Sequence, residues 1–133
     1  MLRYALTYLA AAVSFLALDS VWLTLTVNRL YRPRMGAIMA DKPALGPAAA
    51  FYLIYIAAIL VLAVLPAAKA GSWSQLLIRA AMFGLAAYAT YDLTNQATLK
   101  DWSSVITLAD MAWGTFATTV AASVGFLVAR KMS

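Results

Sequence analysis

The sequence predicts an all-α polytopic membrane protein, a bundle of four antiparallel transmembrane helices. Three observations carry that prediction. The chain is 65% hydrophobic and only 11% charged, which is too apolar for a soluble domain of this length. Its apolar residues gather in four stretches, each about the 20 residues a helix needs to cross a hydrocarbon core of about 30 Å. Prolines and most cations fall between those stretches or at their edges.

The first span covers about residues 2–27. Its apolar run exceeds the roughly 7–15 residues of a cleavable signal peptide, so it reads as a retained anchor. The second, about 48–66, starts behind Pro47, whose missing N–H suits a first helical turn, and runs through "AAAFYLIYIAAILVLAVL" to Pro66. The third covers about 76–98 and the fourth about 103–128. Residues 1–133 thus form a single transmembrane domain, and an even number of spans places both termini on one side. The segment from Asn28 to Gly46 reads as a connecting loop.

Orientation rests on the distribution of Lys and Arg. Arg29, Arg32, Arg34, Lys42 and Lys100 belong to the loop side; Arg3, Lys69, Arg79, Arg130 and Lys131 belong to the terminal side. The counts tie; the N-terminal amine tips the balance toward cytoplasmic termini, while the dense cluster in "NRLYRPRMG" equally fits a cytoplasmic, lipid-facing segment.

Composition narrows the chemistry. There is no Cys and no His, which excludes disulfides, a thiolate nucleophile, an imidazole base and a Cys/His zinc site. No cofactor or metal is indicated. The net charge of +5 matches loops facing anionic headgroups, so membrane lipids are the expected partners and nucleic acid is not.

Counting residues inward from the loops places the acids. Asp19 lies nine residues before Asn28, Asp92 eight before Lys100, and Asp110 nine after Asp101. At 1.5 Å per residue each sits roughly 12–14 Å from its loop, all on the same side. Three acids on three helices therefore share one layer. The second helix adds "FYLIY" (Phe51, Tyr52, Tyr55) at the same depth. Trp22 and Trp113 follow their acids by three residues, close to the same helical face. On the third helix Tyr88, Asp92, Asn95 and Gln96 form a stripe. A carboxylate at a helix centre costs about 2.5–3.5 kcal/mol on insertion scales. The acids are thus expected to turn inward, sharing protons or holding a cation, because no Lys, Arg or His lies in the layer.

Small residues at four-residue spacing, Ala80 and Gly84 on the third helix and Ala117, Ala121 and Gly125 on the fourth, predict close helix contacts. They suit bundle packing first, and a homodimer or a larger membrane complex second. Two short copies, "DSVWLT" from Asp19 and "DMAWGT" from Asp110, share the pattern D-x-x-W-x-T. They are either inverted repeats, as in transporters, or a coincidence of six residues. The Tyr91-Asp92 pair also resembles the first motif of intramembrane aspartyl proteases, whose second motif is G-x-G-D. Here that stretch is "TLAD", and four helices are too few.

"FYLIY", "YATYDLTNQATLKDW" and "DMAWGT", with an Asp-x-x-Trp-Leu in the first span and the "LYRPRMG" segment, together resemble the bacterial four-helix membrane family DUF2177. The likeness runs through essentially the whole chain. It implies a fold and an inner-membrane address, and no established reaction. Carried over residue by residue, it marks Asp19, Trp22, Tyr52, Tyr91, Asp92, Asn95, Asp110, Trp113 and Gly114. Most of these already lie in the layer found by counting.

Three functions fit. The first is a bundle that binds or transports a proton, a cation or a small cationic or lipidic ligand, with Asp19, Trp22, Tyr52, Tyr55, Tyr88, Tyr91, Asp92, Asn95, Asp110 and Trp113 as its site. The second is a membrane enzyme acting on lipid through an Asp acid or base. The third is a small accessory subunit of a membrane complex. Buried acids without internal cations favour the first.

Overall fold

Four long helices and no strands make up the computed structural model, which describes residues 1–133. They are α1 (Leu2–Ile38), α2 (Leu45–Ala70), α3 (Trp73–Thr98) and α4 (Ser104–Lys131), each long and apolar enough to cross a membrane. Local chemistry sets several ends. Gly71 closes α2 in the left-handed conformation, φ 63°, which costs a residue without Cβ little. Ser72 and Ser103 then cap α3 and α4, accepting from the N–H groups of Gln75 and Val105.

The central helix is α4, which lies along both α1 and α3. Arg3 Nε donates to the carbonyl of Ala129 at 3.2 Å, so the two ends of the chain meet at one end of the bundle. In that terminal half, Ala63, Val64, Ala67, Leu76, Ala80, Ala121, Phe126 and Ala129 are fully buried. Such small side chains let helix backbones approach where lipid offers no hydrophobic drive for association. Ala80, Gly84, Ala117, Ala121 and Gly125 all face inward.

Two helices run past their expected ends. The first continues from 27 to Ile38 and the second from Pro66 to Ala70, so the segment expected to be a loop from Asn28 is helical for its first eleven residues. The reason is the same in both. A widened turn precedes each proline: Arg32 N–H bonds to Val27 O and Leu65 N–H to Leu60 O, five residues back. Proline lacks an N–H and its ring crowds the carbonyl four residues earlier, and a wide turn relieves that crowding. In a regular α-helix the N–H groups missing at Pro33 and Pro66 would have served the carbonyls of Arg29 and Leu62. Arginines serve them: Arg34 Nη1 lies 3.5 Å from Arg29 O and 3.2 Å from Leu30 O, and Arg79 Nη1 lies 3.3 Å from Leu62 O.

The wide turn also divides α2. From Leu60 to Ala70 its backbone approaches α3 and α4, whereas from Leu45 to Ile59 close backbone approach is chiefly to α1. In the loop half, aromatic side chains therefore span the gap that opens on α2's other flank.

Candidate functional site

Asp19 and Asp110 each accept a tyrosine hydroxyl. Tyr52 of α2 donates to Asp19 Oδ2, and Tyr31 of α1 donates to Asp110 Oδ1 at 2.6 Å. Between these pairs lie Trp22 and Trp113, stacked with centroids 4.7 Å apart and planes within 5°. Their N–H groups cross over. Trp113 Nε1 points to Asp19 Oδ1 at 3.4 Å, a long bond, and Trp22 Nε1 donates to Tyr31 Oη at 3.0 Å, which passes the interaction on to Asp110.

The two D-x-x-W-x-T copies thus face one another. Each tryptophan turns toward the acid of the other copy, and the terminal threonines bond alike to the carbonyl four residues back, Thr24 to Ser20 and Thr115 to Met111. The exchange is reciprocal only in part, because Trp22 reaches Asp110 through Tyr31.

Asp92 differs from both. It has no exposed surface and neither carboxyl oxygen has a hydrogen-bond partner. The acid that bears on it is Asp110. A bare buried carboxylate carries a large desolvation penalty, and two adjoining carboxylates repel. A proton on one of them would remove the repulsion.

Beside this pair is a cavity of about 250 Å³ between α2, α3 and α4, lined by Phe51, Tyr55, Ala87, Tyr88, Tyr91 and Asp110. Tyr55 is buried and its hydroxyl shares a 2.7 Å hydrogen bond with Thr118. Its ring stacks on Phe51 at 5.1 Å and on Phe83 at 5.0 Å, and meets Tyr88 edge-on at 6.2 Å. Tyr88 lies against Gly114: a Cβ there would sit 2.1 Å from the ring. Only glycine leaves that space.

The structure brings most of the counted residues together as two linked groups, although the helix of Asp19 runs on to Ile38 and the loop it was counted from starts later than expected. Asp19, Tyr52, Trp113 and Trp22 form one; Asp92, Asp110, Tyr88 and Tyr91 form the other. No three carboxylates converge closely enough to ligate one metal ion. Tyr91 is half-exposed and meets the edge of Trp102 at 5.8 Å. Asn95 stays outside the network. It is half-buried, and its backbone carbonyl closes α3 by accepting from Leu99. Gln96 is exposed.

Sequence reasoning missed Tyr31, the partner of Asp110. Residues nine apart in an unbroken α-helix lie on opposite faces, so Tyr31 does not fall on the Trp22 side by periodicity. The widened turn Val27–Tyr31 adds the rotation that brings it there. The one available signal was Pro33 directly after an apolar helix, a position that a wide turn accommodates.

Fold and site together define a four-helix integral membrane protein with a polar layer built into the bundle. The chain belongs to the family described as predicted membrane protein (DUF2177), whose model matches residues 4–127. No curated protein and no solved structure matches it.

Proposed function

We propose that this protein binds or transports a proton, a cation or a small ligand at the Asp92–Asp110 site, in the bacterial inner membrane with both termini in the cytoplasm. The observation that carries the reading is Asp92, fully buried with two unpartnered oxygens beside a second acid. An acid that only fastened helices together would have its oxygens occupied by donors, as Asp19 has. This one is left free to exchange a proton or take a ligand.

Tryptophan emission tests it. In a Trp73→Phe, Trp102→Phe background, emission comes from the stacked Trp22 and Trp113, and Trp22 connects to Asp110 through Tyr31. The emission is expected to change with pH or on adding candidate cations. Asp92→Asn shifts or abolishes the transition while the bundle stays folded, since an amide keeps the shape but cannot ionise; Asp41→Asn, in the exposed connection, leaves it unchanged. A flat response would reduce the three acids to structural ones. Reporter fusions at Ser133 and at the Gly71 turn are expected to label the same side, the cytoplasm. Opposite labels would overturn the depth argument.

A further inference from the structure

We propose that the cavity between α2, α3 and α4 is a cage for a small, singly charged organic ammonium group, methylated or quaternary. The proposal rests on the reading of Asp92 and Asp110 as a ligand site, and names the ligand's chemistry. Four aromatic rings and one carboxylate make up nearly the whole lining: Phe51, Tyr55, Tyr88, Tyr91 and Asp110, with Ala87 between.

Those walls are rings in more than one orientation. Phe51 and Tyr55 are stacked at 27°, and Tyr88 stands at 81° to Tyr55; because Phe51 and Phe83 cover the two faces of Tyr55, a guest would have to use the outer face of Phe51 and the rings of Tyr88 and Tyr91. Aromatic faces attract a cation through the ring quadrupole, most strongly one that has already shed its water. Asp110 adds a formal charge inside a low-dielectric layer, where attraction is strong.

Other occupants fit the lining poorly. A hard metal ion takes six or more oxygen ligands, and here one carboxylate stands among phenol rings. An anion would meet Asp110 with no cation near, because Arg and Lys lie toward the ends of the helices. A hydrocarbon guest would leave the carboxylate facing apolar atoms. At about 250 Å³ the cavity is smaller than the roughly 300–1,000 Å³ of drug-sized sites, which suits a headgroup or a small amine. If Asp92 and Asp110 hold one proton between them, the pair carries one negative charge and balances one ammonium.

The same chemistry has two sources, a free ammonium ion or a lipid headgroup entering from the bilayer. Phe51 and Tyr91 are 46% and 52% exposed and mark a mouth at membrane depth. Calorimetric titration of the full chain in detergent, with choline and its neutral isostere 3,3-dimethyl-1-butanol, tests the cage. Choline is expected to bind at least about tenfold more tightly than the alcohol, and Asp110→Asn to remove most of that difference.

Asp110 also holds Tyr31, so a second variant guards against misfolding. Tyr91→Leu, at the half-exposed mouth, weakens choline binding several-fold while the chain stays folded, and Tyr91→Phe restores it because the ring face returns. Nanodiscs identify the source: weaker choline binding in phosphatidylcholine than in phosphatidylglycerol discs means that the headgroup competes for the cage, and equal binding means a free ion. Equal affinity for choline and the alcohol, or no binding of either, overturns the cage. If tryptophan emission still titrates through Asp92 in that case, the acid pair remains a proton or cation site and only the cage is lost. If emission is flat as well, both readings fall.

Discussion

The two halves of this bundle solve opposite problems. Toward the termini, alanines, glycines and a few large apolar side chains close the helices against one another, with Val64, Leu76 and Phe126 fully buried. Toward the loops, α2 parts from α3 and α4, aromatic rings bridge the gap, and Asp92 is buried without a partner. The contrast teaches where strain is tolerated. A carboxyl with no donor and an open cavity both weaken a bundle in lipid, and both lie in the half that does not fasten it. Sites that must stay unsaturated are commonly supported from elsewhere in this way.

The sharpest way to break the comparison is to damage the closed half. Phe126→Ala removes a fully buried ring that meets Trp73 edge-on at 4.6 Å. On the order of 100 Å³ is left empty, and at about 24 cal/mol per Å³ that cavity costs about 2 kcal/mol. Unfolding of the purified protein in detergent is expected to show that loss. An unchanged midpoint would mean that the terminal half does not anchor the fold.

Glycines sharpen it next. Gly114→Ala drives a Cβ into the Tyr88 ring and is expected to destabilise by about 1–3 kcal/mol and to distort the cavity. Gly125→Ala meets nothing nearer than 3.5 Å, an ordinary contact, so it is expected to cost less, with the higher helix propensity of alanine offsetting part of it. If the two substitutions behaved alike, Tyr88 would not be seated on Gly114 as described.

The tryptophan crossover should contribute less. Trp22→Phe keeps a ring for stacking and loses the N–H donated to Tyr31. Both residues belong to α1, and a side-chain hydrogen bond contributes about 0.5–1.5 kcal/mol net, so a midpoint shift at the low end of that range is expected. The smallest effect belongs to Asp92→Asn. No donor is lost there and an amide gains one, so stability is expected to hold or rise slightly while the response at the tryptophans disappears.

The four spans were legible because hydropathy over 20 residues is a local property. That Asp19 and Asp110 come together was legible because a helix advances by a constant rise, although α1 continues past Asn28 to Ile38, so the loop from which Asp19 was counted starts eleven residues later than expected. Three features were hidden for physical reasons. Tyr31 depends on one extra residue in a turn, which changes the facing of everything after it. The end of α1 was misread because the arginine-rich run from Asn28 looks like a loop, and the end of α2 because Pro66 looks like a stop; a wide turn accommodates both. The cavity arises from the divergence of α2, and no pattern within α2 states the distance to its neighbours. Asn95 shows the reverse error, since its spacing matches the Asp92 stripe and yet its side chain takes no part in the network.

The wide turn in α2 also has a mechanical meaning. Leu60–Ala70 is held against α3 and α4, and Arg79 ties the turn itself through Leu62 O, so the segment above it is a lever with its fulcrum at Leu60–Val64. Phe51 lies nine residues up that lever, about 13 Å from the fulcrum. A bend of only about 10° at the turn would carry its ring by about 2 Å, enough to widen or narrow the cavity mouth, and the bonds of Tyr52 to Asp19 and of Tyr55 to Thr118 are what such a bend would work against.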